Sequence, residues 1–283
     1  MGKVNRVTTG ILTPTSFAGL QVGRPKEQTP YINMLVYGRS SIGKTTLAGS
    51  ADAVPEMRNV LFVDAEAGTL SLNKTNYNVD VVRITDWNQL GDLYAALSAG
   101  GHDYQTVVLD SLTELQEMCM REIMKQMKSD PDNAERDPDV PGMYEWNKSE
   151  KQVKRLIRAF RDLPMNVIFT ALVKEDKDPK TGVTMKLPDL PGKLAHRVAA
   201  LFDIVLYYTI VPRGDDDEGG GGLQRVVASQ AGTNTVAKNR GSDALPELLD
   251  IPDPREKSPM AVIYPLIVGA KPIAAAETGS VPE

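Results

Sequence analysis

The sequence predicts an α/β protein with a mostly parallel, twisted sheet, helices on both of its faces and an antiparallel C-terminal extension. Three observations carry this expectation. Residues 34–37, 60–63 and 107–109 are apolar throughout, as strands buried on both faces are. Amphipathic stretches alternate with these runs in a β-α-β rhythm. The runs end in Gly38, Asp64 and Asp110, at the strand ends where open α/β sheets place their ligands.

The 283 residues allow one large or two modest domains, with 41% apolar and 24% charged residues, as in an ordinary globular chain. The one cysteine, Cys119, excludes a disulfide framework and a cysteine-based zinc site, and it reads as a buried structural thiol. No apolar run approaches the ~20 residues of a membrane span, and no signal-peptide core opens the chain, so the expected setting is cytoplasmic, without a membrane. A net charge of −5 argues against a generally basic nucleic-acid binder, so any such contact needs a local patch.

Residues 1–30 are rich in Gly, Pro, Thr and Ser and read as a flexible arm, with a small apolar knob around Phe17 and Leu20. A single folded domain is expected over residues 31–270. The first strand runs into Gly38-Arg39-Ser40-Ser41-Ile42-Gly43-Lys44-Thr45-Thr46, which fits G-x-x-x-x-G-K-[ST] at every fixed position. The chemistry needs this spacing. Glycines let backbone N–H groups fold around phosphate oxygens, and the following helix turns its positive dipole end towards them. Lys44 reaches the β- and γ-phosphates, and the Thr45 hydroxyl ligates Mg²⁺. The loop therefore reads as a nucleoside triphosphate site.

The second strand, residues 59–64, leads into Asp64-Ala65-Glu66-Ala67-Gly68. A third spans 79–84, after which Asp86 is expected to cap a helix carrying Leu90, Leu93, Tyr94 and Leu97 and ended by Gly100-Gly101. Residues 106–110 form a strand ending in Asp110, the Walker B pattern in which the aspartate holds the Mg²⁺ shell. A helix follows over 112–127, then a Pro/Asp-rich loop over 129–142 that is too polar to bury. The next helix, 144–161, buries Val153, Leu156, Ile157 and Phe160 beside a basic stripe of Lys151, Lys154, Arg155 and Arg158. That stripe is either a solvated face or a phosphate-contacting surface. A strand over 165–172 ends near Thr170, and the stretch 173–192 reads as a lysine-bearing loop with interleaved acids. A helix (194–201) and a strand (203–210) come next, then an acidic Gly-rich hairpin tip at 214–222 and a returning strand over 223–229. Adjacent acids in that tip do not converge on a Ca²⁺ ion without a defined loop. The stretch from residue 271 is rich in Ala, Pro and Glu and is expected to be disordered.

Taken together, these motifs resemble a RecA-type P-loop NTPase core. Leu61-Phe62-Val63-Asp64-Ala65-Glu66-Ala67 looks like the segment that supplies the water-activating glutamate. For Glu66 to act so, its strand is expected beside the phosphate-loop strand, from which the carboxylate orients water in line with the γ-phosphate. Val107-Val108-Leu109-Asp110-Ser111 is similar to the family's Walker B, including the following serine. The γ-phosphate-sensing glutamine is missing, and Thr170 and Ala171 stand in its place. Val236-Ala237-Lys238-Asn239-Arg240 resembles the segment whose two cations reach a neighbouring subunit's γ-phosphate, an arrangement that makes hydrolysis depend on assembly. Over residues 31–250 the chain is most similar to short phage RecA-like ATPases of the Sak type, with Leu109–Leu115, Leu190–Leu194 and Ala237–Arg240 carrying the likeness.

The resemblance implies ATP and Mg²⁺ as cofactors, a homo-oligomer (filament or ring), single-stranded DNA as substrate in recombination or annealing, a single-strand-binding protein as partner, and the host cytoplasm as location. The rival reading is a RecA-like motor or regulatory ATPase that acts on protein partners without its own DNA site, which the net acidity favours.

Overall fold

The computed structural model describes residues 16–18, 20–21, 31–133, 135–177, 182–212 and 223–269. A short unit ending at Tyr31 contains a two-residue hairpin, β1 (Ser16–Phe17) against β2 (Leu20–Gln21), with Phe17 opposite Leu20. The remainder of the expected arm, the acidic tip at 214–222 and the expected disordered tail lie outside the described residues.

The main body starts at Ile32 and is built on one sheet. Its strands are β3 (Asn33–Gly38), β4 (Val60–Asp64), β5 (Val79–Arg83), β6 (Thr106–Asp110), β7 (Asn166–Lys177), β8 (Thr184–Pro188), β9 (Ile204–Pro212), β10 (Leu223–Ala228), β11 (Lys238–Asn239) and β12 (Leu248–Ile251). The order across the sheet is β12-β10-β9-β3-β7-β6-β4-β5. From β9 to β5 the neighbours run parallel, while β10, β11 and β12 add antiparallel pairs. The expected architecture is therefore present.

The strands are apolar throughout because both faces are covered. Along β3, Leu35 and Tyr37 enter one core layer, and Met34 and Val36 enter the other. The first layer is closed by α2 (Gln89–Ala99), α3 (Leu112–Lys128), α4 (Met143–Arg161) and α5 (Leu194–Arg197). The second is closed by α1 (Lys44–Gly49) and α6 (Pro259–Val268). Each large apolar side chain buried here contributes about 1.5–3 kcal/mol, so the two faces together fix the register. Cys119 is buried on α3, where burial pushes its thiol up to about 11.

Several boundaries differ from expectation for physical reasons. β4 does not lie beside β3, because β7 and β6 stand between them. Strand order in a parallel sheet is set by how crossover helices pack, which local patterns do not encode. The helix after β5 starts behind Asn88. Asp86 sits two residues earlier and accepts the Asn88 N–H at 2.8 Å. The stretch after Thr170 is not a loop. β7 continues to Lys177 and pairs antiparallel with β8, from Val173 opposite Pro188 to Lys177 opposite Thr184, with residues 178–181 outside the description. α6 lies where no helix was expected. Ser258 caps it by accepting the Ala261 N–H at 3.1 Å, Pro259 takes its first turn, and Gly269 ends it at φ 74°.

Candidate functional site

The phosphate loop leaves β3 at Gly38. Only glycine fits there, because a Cβ would lie 2.3 Å from the Tyr208 carbonyl oxygen on β9. The loop turns through two left-handed residues, Ser41 (φ 61°) and Gly43 (φ 108°), and buried Ile42 anchors it to the core. Lys44 then opens α1. It is 7% exposed, and its ammonium donates to the carbonyls of Gly38 (3.1 Å) and Arg39 (2.9 Å). Burial pulls its pKa down, and the nearby carboxylates of Asp110 and Glu66 offset part of that pull. A lysine so placed curls over its own loop, within reach of anything the loop amides hold.

Asp110 ends β6, 1% exposed. Its Oδ2 accepts the Thr45 hydroxyl at 2.8 Å, and its Oδ1 accepts the hydroxyl of Thr170 on β7. Burial pushes its pKa up, while the hydrogen bonds from Thr170 and Thr45 pull it back. The Asp110–Ser111 peptide is cis. Ser111 has two roles. It caps α3 by accepting the Glu114 N–H at 3.4 Å, and its hydroxyl donates to the Glu66 carboxylate. Although β4 lies beyond β7 and β6 from β3, the loop after it carries Glu66 back to the same end of the sheet as Lys44. Lys44, Thr45, Asp110 and Glu66 therefore converge.

Asp64 was not expected to matter beyond its place in the strand-end segment. It is 3% exposed and accepts the N–H groups of Glu66 and Gly68, both at 3.1 Å, with the Thr69 hydroxyl at 3.4 Å and Arg83 at 3.5 Å. Asp64 thus fixes the loop that presents Glu66. Thr170 had been placed by sequence but given no bond, although a lone hydroxyl inside the apolar run Val167–Leu172 was the available signal. The buried Tyr208 hydroxyl has no hydrogen-bond partner among the described residues, and a Cβ at Gly43 would lie 3.6 Å from it.

The oxygen set of Thr45 and Asp110 suits a hard divalent cation such as Mg²⁺, which takes few protein ligands and completes its shell with phosphate and water. The left-handed turn at Gly43, the Ser40, Ser41 and Thr46 segments around it and the buried Lys44 suit a polyphosphate.

Lys238 and Arg240 lie elsewhere. β11 pairs with the start of β9, Lys238 opposite Val205, and the Arg240 N–H reaches the Asp203 carbonyl. Arg240 is therefore level with Asn33, roughly 16 Å along β3 from Gly38 at ~3.3 Å per residue. The two cations are also held differently. The Lys238 ammonium donates to the carbonyls of Ala199 (2.8 Å) and Phe202 (2.6 Å), and burial lowers its pKa. Arg240 is 62% exposed and pairs with Asp203 at 3.6 Å.

Among the described residues, no helix is long and apolar enough to cross a membrane. No curated protein matches the chain. A family model described as an AAA domain does, over residues 31–241, a span holding the phosphate loop, both strand-end carboxylates and the cations of β11. The chain belongs to this AAA domain family, AAA_24, and is a P-loop ATPase.

Proposed function

We propose that the chain hydrolyses ATP as a RecA-like protein of DNA recombination or single-strand annealing, of the Sak type, bound to single-stranded DNA as a homo-oligomer. The observation that supports it most is the convergence of Lys44, Thr45, Asp110 and Glu66 at one end of the parallel strands. In this reading Lys44 leaves the Gly38 and Arg39 carbonyls and pairs with the β- and γ-phosphates, held by the loop from Gly38 to Thr46. Thr45 and Asp110 would hold Mg²⁺, which when bound neutralises the developing phosphate charge. Glu66, oriented by Ser111, accepts a hydrogen bond from the attacking water and aims it in line.

In this reading Arg240 and Lys238 act on a neighbour's site, which is supported by their place on and after β11, away from their own loop. Arg240 is the more available of the two. Its exposed pair with Asp203 is worth at most about 1 kcal/mol, whereas Lys238 must give up two carbonyl bonds.

The direct test is the ATP turnover rate with and without single-stranded DNA. Turnover is expected in the purified chain, raised by DNA and abolished by Lys44→Ala. Turnover indifferent to DNA, with no DNA binding at low salt, would support instead the motor or regulatory ATPase that acts on proteins.

A further inference from the structure

We propose that the outer face of α4, with the groove it forms beside α2, is the track for a single-stranded nucleic acid, with its phosphates on Lys148, Lys151 and Arg155 and a base stacked on Tyr144. This rests on the single-strand-binding reading above and assigns that reading a surface.

A cavity of about 310 Å³ lies between α2 and α4, and through the shared Gln152 and Arg155 it adjoins a second, of about 540 Å³, whose described lining comes from α4 alone. Tyr144, Lys148, Lys151 and Arg155 follow one another at i+4, i+3 and i+4, which places them in one row on α4. Among the described residues, no carboxylate lines either cavity, in a chain that carries 37 acidic and 32 basic residues. The acids of α4 that lie nearest in sequence are already engaged. Glu145 is buried against Arg136 at 2.9 Å, and Glu150 is paired with Lys154. Among the described residues, Lys151 and Arg155 have no ion pair, and Lys148 donates only to the Gln126 amide oxygen at 3.1 Å. Most other arginines of the described surface are paired, including Arg39, Arg83, Arg121, Arg161 and Arg255.

The dimensions fit a strand. Lys148 to Arg155 spans about 10 Å of helix axis at ~1.5 Å per residue, the length of about three phosphates of a stacked strand at ~3.4 Å each. Tyr144 is 72% exposed at one end of the row. At the other end, Trp87 and Tyr94 line the smaller cavity, with Tyr94 tilted against Phe160 at 5.9 Å. An exposed aromatic next to a row of cations is the arrangement that binds single strands without reading sequence.

The β7–β8 arm also carries lysines, but two of the three on its strands are engaged by its own contacts. The Lys174 ammonium bonds the Leu190 carbonyl, Lys186 lies 5.5 Å from the Tyr207 ring centre, and Glu175 and Asp176 interleave with them.

The test is fluorescence anisotropy of a labelled oligo-dT with the full chain, across salt concentrations. Three single-strand phosphate contacts predict a slope of about −2 in log K against log salt from this groove. The triple variant Lys148→Gln, Lys151→Gln, Arg155→Gln is expected to lose that slope and roughly tenfold or more in affinity, while basal ATP turnover is kept and reports a folded chain. Tyr144→Ala is expected to lose about fivefold or more, and Tyr144→Trp to restore it. Wild-type binding that the triple variant leaves unchanged would overturn the groove and leave the DNA reading standing. No wild-type binding at low salt would overturn both. A triple variant that loses affinity while Tyr144→Ala does not, with polyglutamate competing as well as DNA, would make the groove a docking face for an acidic protein and overturn the nucleic-acid assignment.

Discussion

Asp64 and Asp110 are register partners at the ends of neighbouring parallel strands, both buried, yet their surroundings separate their roles. Asp64 is held mostly by fixed donors, the backbone N–H groups of Glu66 and Gly68 and the guanidinium of Arg83, with the Thr69 hydroxyl beside them at 3.4 Å. Among the described residues, the Asp110 carboxylate accepts only two side-chain hydroxyls, from Thr45 and Thr170. A hydroxyl can rotate and offer its lone pair to a cation, whereas an amide in a turn cannot. One carboxylate therefore builds the loop, and the other is left available for chemistry. A strand that ends in Asp is not by itself a metal site; what its oxygens already hold decides.

The largest expected effect comes from Asp110→Asn. It should lower turnover about 10²- to 10³-fold with the fold kept, measured by steady-state hydrolysis beside a thermal melt. Asp64→Asn should do the reverse in emphasis. It leaves the buried loop amides poorly paired, costs about 1–3 kcal/mol in denaturant unfolding, and lowers turnover only as far as Glu66 is displaced. If Asp64→Asn were the more damaging to catalysis at unchanged stability, the division between the two aspartates would be wrong.

Next in size is the contribution proposed for a neighbour's cations. The double variant Lys238→Ala, Arg240→Ala should lower turnover with ATP affinity largely kept, and normal turnover would remove the trans-acting cations from the account. Mixing it with Lys44→Ala chains sharpens this: if sites are shared as proposed, each chain supplies the half that the other lacks, and partial recovery of turnover is expected.

The smallest effect lies away from the site, where acidic pH should loosen the start of α4. The Arg136 guanidinium, bonded to Glu145 at 2.9 and 3.0 Å, holds that carboxyl at about 2, down from 4.5. A depressed folded pKa contributes stability that is present above the unfolded value and is lost as pH falls from about 4.5 towards 2. Glu145→Gln should flatten that part of a melting-temperature profile.

Much of the site was legible because its chemistry is local. The phosphate loop spans consecutive residues, Asp110 closes one apolar run, and Glu66 follows two residues after Asp64 closes another. Thr170 was legible in position but not in role, since its partner lies across a strand junction and 60 residues away in the chain. The order β3-β7-β6-β4 was not legible, and with it went the expected neighbour of the Glu66 strand. The extension of β7 was missed because Val173–Lys177 is mostly polar, and its partner β8 supplies backbone pairing where the apolar pattern has ended. The α6 helix had its signals in Ser258, Pro259 and Gly269, but the proline at 265 and an apolar stretch without helical periodicity hid them.

ATP turnover across a Mg²⁺ titration, with wild type, Asp110→Asn and Asp64→Asn side by side, tests the central claim most directly. Wild type and Asp64→Asn are expected to share one Mg²⁺ dependence, while Asp110→Asn needs far more Mg²⁺ or does not respond. A Mg²⁺ dependence that shifts with Asp64→Asn and stays unchanged in Asp110→Asn would contradict it.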